Sequence, residues 1–211
     1  MEIYRMVFSP IEVNTYIMAD ESGDCAVIDC GCYNRNEFSK LEKFLTDRHL
    51  KPVLLLNTHC HLDHIFGNRF MLERYNLRPL SGKEDEINRI SAVAHAGLFG
   101  LEMDEPPEPG GFIEDGSNIS FGSTVLVALK VPGHSPGSIA FYSEKDKCVF
   151  TGDALFSGSI GRTDLAGGDY DTLVKSIRTR LLVLPCNTVV YPGHGDSTTI
   201  DREIKSNPFL S

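Results

Sequence analysis

Short apolar-rich runs at residues 2–8, 12–19 and 25–30, punctuated by Ser9-Pro10 and Ser22-Gly23-Asp24, predict three strands. The pattern then lengthens. Phe38, Leu41, Phe44 and Leu45 fall on one face of a helix predicted over residues 36–49. Residues 52–57 are apolar on both faces, which predicts a strand in the interior of a sheet. A helix is expected after "NTHCHLDH", through "IFGNRFMLERYN", and another over 84–101, before "DEPPEPGG" breaks the chain as a loop.

From Phe112 to Phe156 the pattern is strand-like, with turns at Asp115-Gly116, Phe121-Gly122 and Glu144-Lys145-Asp146. Leu173, Ile177, Leu181 and Leu184 mark a last long helix over 170–184, and "NTVVY" follows as a strand. A short helix near 200–206 closes the chain, with Thr199 as its N-cap and Asp201 and Glu203 in its first turn. No repeat interrupts this order. Hairpins dominate 112–156, so the pattern suggests sheet packed on sheet with outer helices, and leaves strand order open.

A length of 211 residues fits one large domain or two small ones, and 41% hydrophobic with 23% charged residues is ordinary for a globular protein. The net charge of −9 disfavours a nucleic-acid partner, because no basic run offsets it. The opening "MEIYRMVFSPIEVNTYIMAD" has neither the basic nor the apolar region of a signal peptide, and no span long enough for a bilayer is present, so a cytoplasmic protein without a membrane partner is expected. Cys25, Cys30, Cys32, Cys60, Cys148 and Cys186 form no CxxC pair and are expected to be reduced core thiols.

The chemistry concentrates in residues 57–64. His59, His61, Asp63 and His64 follow directly on the apolar run 53–56, whereas seven histidines spread at random would put about 0.2 in a six-residue window. Extended geometry sends His59 and His61 the same way, and a turn brings Asp63 and His64 round from another side. Three further candidates each stand beside glycine at a predicted strand end: His134 in "VPGHSPGS", Asp153 in "FTGDALF" and His194 in "VVYPGHGD". Five histidines and two aspartates suit Zn, Fe or Mn, and their number fits two metals with one bridging carboxylate. His49, at a helix end, and His95, within a helix, are left out of the site. Cys60 would point away from its ligand neighbours and is read as packing.

With "THCHLDH", "GHSPGS", "GDALF" and "YPGHG" in that order, the chain resembles the metallo-β-lactamase fold superfamily over nearly its whole length. The resemblance implies an α+β fold, a four-layer αββα sandwich, as a single domain over residues 1–211. It implies His59, His61 and His134 on one metal, Asp63, His64 and His194 on a second, and Asp153 bridging. Asp63 and Asp153 would then be catalytic, and Asp29 in "VIDCG" would support the site from behind; the proline that usually follows that aspartate is Cys30 here. The ending "TTIDREIKSNPFL" is most similar to the glyoxalase II-related hydrolases. That branch implies two divalent metals, Zn foremost, and hydrolysis of a small-molecule thioester such as S-lactoylglutathione by a metal-bridging hydroxide. Arg162 in "GSIGRTDL" matches a substrate-binding residue that contacts glutathione, with Asp164 where a tyrosine is expected; a surface ion pair is the competing reading of Arg162. The chain ends before the helical domain that helps full-length glyoxalase II hold glutathione, so weak binding of glutathione conjugates is expected. "GRTDL" also resembles the persulfide dioxygenases, in which His59, His134 and Asp153 would hold a single Fe(II).

Overall fold

The computed structural model describes residues 1–210. Strands β1 (Glu2–Phe8), β2 (Val13–Ala19), β3 (Asp24–Ile28), β4 (Lys51–Leu56), β5 (Leu80–Ser81) and β6 (Gly111–Phe112) lie in that order in a first sheet. The second half contributes β7 (Asn118–Phe121), β8 (Thr124–Lys130), β9 (Ile139–Ser143), β10 (Cys148–Gly152), a small hairpin of β11 (Leu155–Phe156) and β12 (Ser159–Ile160), then β13 (Val189–Pro192) and β14 (Thr198–Thr199). Its sheet runs β14-β13-β10-β9-β8-β7. The first three strands pair antiparallel, and from β3 onward the first sheet is parallel.

Two-residue alternation builds the layers. Tyr16, Met18, Ala26 and Ile28 of the first sheet meet Leu126, Ala128, Phe141 and Phe150 of the second in one central core. Their sequence neighbours Ile17, Ala19, Cys25 and Val27 face the other way, onto Phe38, Leu41 and Leu45 of α1 (Arg35–Asp47). A four-residue α2 (Leu62–Ile65) follows, and α3 (Asn68–Tyr75) adds Met71 to that outer layer. The next helix, α4 (Glu86–Leu98), packs Ala92 on Leu62, Ile65 and Phe66. Beyond the second sheet, Ala140, Tyr142, Val149 and Val190 pack on Leu173 of α5 (Tyr170–Ser176), on Ile177 and Leu181, and on Ile200 of α6 (Ile200–Ser206). Three apolar seams thus separate four layers, an αββα sandwich. Burying each large side chain in them contributes about 1.5–3 kcal/mol.

The pattern-based expectations hold for most elements, and the departures have local causes. The helix expected after the histidine cluster is broken at Gly67, whose N–H donates to the Cys30 carbonyl at 2.7 Å. A Cβ there would run into the Cys30 thiol, so α2 and α3 part where the chain must approach β3's end closely. The 84–101 helix starts as a 3₁₀ turn at Lys83–Asp85 and ends at Leu98. The 170–184 helix is α-helical only to Ser176, then opens into a wider π turn, Ile177–Leu181, that keeps Leu173, Ile177 and Leu181 on the sheet. Phe112 leaves the expected hairpin region and, with Gly111 from the expected loop, joins the first sheet through β5. Cys186 is exposed, in the turn before β13, whereas the other five thiols are buried as expected. Thr199 caps α6, its hydroxyl accepting from the Arg202 N–H. No helix among the described residues is long and apolar enough to cross a membrane.

Candidate metal centre

The candidate side chains follow the ends of β4, β8, β10 and β13, five of them in loops and Asp63 and His64 in the first turn of α2, so rigid elements aim them at one point. The structure brings seven of them together, in three overlapping groups: His59, His61 and His134; Asp63, His64 and His194; and His59, His64 and Asp153. His49 is exposed beyond α1 and His95 is half-buried on α4; neither joins a group.

Behind four of the five rings stands a partner that selects the tautomer. Thr58 Oγ1 donates to Asp29 Oδ2 at 2.6 Å, so toward His59 Nδ1, 3.1 Å away, it can only accept. His64 Nδ1 donates to Asp29 Oδ2 (2.9 Å), His134 Nδ1 to the Arg162 carbonyl (2.8 Å) and His194 Nδ1 to the Glu12 carbonyl (3.2 Å). The Nε2 atoms of these four rings are therefore left facing inward, joined by Nδ1 of His61. His134 Nε2 lies 3.2 Å from His59 Nε2 and 2.9 Å from His61 Nδ1. Two nitrogens bound tetrahedrally to one Zn at about 2.0–2.1 Å would be about 3.3 Å apart. Bare nitrogens at this distance repel one another unless a cation sits among them.

The second group is built around carboxylate. His194 Nε2 is 3.1 Å from Asp63 Oδ2, and His64 Nε2 is 3.5 Å from Asp63 and 3.3 Å from Asp153. Asp153 Oδ2 also lies 3.7 Å from both His134 and His194, which puts this carboxylate between the two groups. Buried polar atoms without a hydrogen bond include His64 Nε2 and Asp153 Oδ1, both aimed inward. The donor set fits divalent metal binding.

The electrostatics agree. Burial, then the neighbouring His64, His61 and His134, hold His59 well below the usual histidine range, and burial with His134 and His64 lowers His61 to about 4. Both rings are neutral at pH 7. For His64 burial again opposes the charged form, but Asp63, Asp153 and Asp29 outweigh it and raise its pKa. Burial alone would raise Asp153; the His64 charge beside it prevails and keeps the carboxyl far below its ordinary value. Three carboxylates around one buried imidazole make a site short of positive charge.

The centre opens toward solvent on the His194 side, where that ring is 27% exposed. Arg162 stands at the rim. Its carbonyl orients His134, while its guanidinium forms a bidentate pair with Asp164, both bonds at 2.7 Å. Cys60 packs with Leu62, Ile65 and Phe66, and burial first, then Asp85, pushes its thiol far above the reactive range.

Several supporting residues escape the sequence reading. Asn14 Nδ2 donates to the Pro192 and Gly195 carbonyls, and Tyr16 Oη to Pro192, together fixing the His194 loop. Asn57 Nδ2 donates to the His64 carbonyl. The Asp85 carboxylate accepts from Cys60 N and Gly137 N, each at 2.7 Å. Thr58 had a signal, standing directly before His59; Asp85, inside the charged run "GKEDE", had none.

A family model described as the metallo-beta-lactamase superfamily matches residues 9–194. The hydroxyacylglutathione hydrolase GloC of Haemophilus influenzae is 35% identical over 213 residues, covering 100% of this chain and 99% of that protein. Among solved structures, the BLEG-1 B3 metallo-beta-lactamase superposes with a TM-score of 0.91 at 30% identity, with 100% of each chain covered. TTHA1623, solved in a di-iron-bound form, gives a TM-score of 0.89 at 36% identity, covering 98% of this chain and 100% of the other.

Proposed function

The chain belongs to the metallo-beta-lactamase superfamily, and from that premise we propose that it is a binuclear metal-dependent hydrolase of a small-molecule thioester, S-lactoylglutathione being the first to assay. The observation that carries this reading is the pair of complete donor sets with Asp153 between them. A reading with one Fe(II) on His59, His134 and Asp153 leaves Asp63, His64 and His194 without work. Yet Asp29, 2% exposed, is buried where it orients His64.

His59, His61 and His134 would hold one cation, Asp63, His64 and His194 the other, and Asp153 both. Divalent ions there, Zn first and Fe or Mn as alternatives, would supply Lewis acidity and a water of lowered pKa. The protein's own share is placement. Asp29, Thr58, Arg162 and Glu12 hold His64, His59, His134 and His194, respectively, in the tautomer that leaves the inner nitrogen free to ligate. Asp63 and Asp153 carry the negative charge that retains the cations. No general acid beyond these groups is needed for a thioester, because the leaving thiol has a pKa of about 8.5. Arg162 at the rim would receive a substrate carboxylate, in exchange for Asp164. The name of the GloC relative supports the same substrate class. We further read residues 1–211 as one domain of a cytoplasmic enzyme without nucleic-acid or membrane partners.

The test pairs two assays on metal-loaded protein: loss of thioester absorbance without O₂, and O₂ uptake with glutathione persulfide on the Fe form. Anaerobic cleavage with Zn bound is expected. Rapid O₂ uptake with no thioester cleavage would overturn the hydrolase reading in favour of the dioxygenase. A β-lactam chromogenic substrate belongs in the same panel, given the B3 metallo-beta-lactamase among the structural neighbours.

A further inference from the structure

We propose that Asp85 is a positioning residue for one of the two donor sets, locking the loop of His59 and His61 against the loop of His134. The proposal rests on the metal-binding reading above. Asp85 is fully buried where the 3₁₀ turn meets α4. Its Oδ2 accepts from the Cys60 N–H at 2.7 Å and from Ser135 Oγ at 3.0 Å, and its Oδ1 accepts from the Gly137 N–H at 2.7 Å. Cys60 lies between His59 and His61, and Ser135 follows His134. One carboxylate therefore spans the two loops that carry this histidine set.

The chemistry requires an acid at this place. Both backbone partners are fixed donors, one on each oxygen, so the side chain must accept on both sides. Asparagine has the same shape but would turn an amide N–H against one of these N–H groups, leaving a buried donor unpaired. The close approach is built in: a Cβ on Gly82 would strike the Gly137 carbonyl, and one on Gly137 would come within 2.5 Å of the Asp85 backbone nitrogen. The other set has different supports. His64 is held by Asp29 and Asn57, and the His194 loop by Asn14, Tyr16 and Glu12; Asp85 contacts none of them.

Selectivity is what separates positioning from general stability. Zn affinity would be measured by chelator competition, with bound equivalents counted by elemental analysis, on the full chain. Wild type should bind two equivalents. Asp85→Asn should keep one and weaken the other by roughly 10–100-fold. In a His194→Ala background, where the three-histidine set remains intact, Asp85→Asn should weaken the remaining Zn by the same factor. In a His61→Ala background it should change nothing. Glu203→Gln is the control: this carboxylate is equally buried but serves Gly158, Thr198 and Asn207, so it should lower the melting temperature and leave both Zn affinities unchanged. Should Asp85→Asn fail to fold, Ser135→Ala removes a single arm and should weaken the same equivalent by a smaller factor. Equal losses in both backgrounds, or no loss in a folded variant, would overturn the proposal. A wild type that takes up only one Zn would instead sink the binuclear reading, with the His194→Ala background still testing Asp85.

Discussion

His64 Nδ1 lies 2.9 Å from Asp29 Oδ2, and the two side chains are 0% and 2% exposed. Asp29 reaches this point from a left-handed backbone conformation, φ +51°, at the end of β3. That conformation costs a non-glycine residue about 1–2 kcal/mol, and aspartate is among those that bear it best. In return the carboxylate accepts three hydrogen bonds, from Thr58 N, Thr58 Oγ1 and His64 Nδ1. Asp29→Asn should therefore cost about 1–3 kcal/mol of stability, since an amide N–H must face a donor. It should weaken metal binding at the set containing His64 by about 10–100-fold. Denaturant melts and Zn competition read both; unchanged Zn binding would show that His64 needs no such support.

Asp153 stands between the donor sets, whereas His194 belongs to one. Asp153→Ala should lower thioester turnover by several orders of magnitude, and further than His194→Ala, because both sets lose a shared ligand. The comparison needs kcat on Zn-loaded protein with metal content measured beside it. Near-normal turnover in Asp153→Ala would mean that the proposed mechanism is wrong.

The Arg162–Asp164 pair is exposed, its side chains 56% and 68% accessible, so solvent screens it and it can exchange partners. If a substrate carboxylate takes Arg162, Arg162→Ala should raise KM for S-lactoylglutathione by the equivalent of about 1.5–3 kcal/mol with kcat little changed. Asp164→Asn should lower KM, because the competitor for the guanidinium is gone. Identical KM values in all three proteins would leave Arg162 a surface ion pair and nothing more.

Alkali should loosen the fold through its buried thiols. Burial, aided by Asp24 and Asp146 respectively, pushes Cys25 and Cys148 up to about 12. Unfolded thiols ionise near pH 8.5. Between these values the folded state holds protons that the unfolded state has released, so stability is full below about pH 8.5 and falls as pH rises. Each thiol contributes at most about 1.4 kcal/mol per pH unit. Melting temperatures under reducing conditions, taken from pH 8 to 11, should fall, and Cys148→Ala should flatten the slope. A slope unaffected by that substitution would assign the alkaline loss to other groups.

Much of this was legible in the letters because periodicity is local. The alternation in β2, β3, β9 and β10 sorts side chains between two seams, and "NTHCHLDH" announces its chemistry by density alone. What stayed hidden depends on contacts distant in sequence. The break at Gly67 is imposed by Cys30, 37 residues earlier, through a backbone bond no local pattern encodes. The transfer of residues 111–112 to the first sheet follows from pairing with β5. Asp85 looks like any acidic residue at a helix start; only the meeting of residues 60, 135 and 137 around it gives it a task. Arg162 reads as either a substrate contact or half of an ion pair; its guanidinium pairs with Asp164, a partner two residues away that a substrate carboxylate would have to displace.

Neither sheet owns a complete set of donors. His59, His61, Asp63 and His64 follow β4 of the first sheet, while His134, Asp153 and His194 follow β8, β10 and β13 of the second. Any cation held here acts as a rivet through the seam between halves of the sandwich. Occupancy then feeds by mass action into the docking of one sheet on the other, adding about 2.7 kcal/mol when the free ion exceeds its dissociation constant a hundredfold. Starved of metal, the molecule should first part along that seam, where the donor cluster opens to solvent.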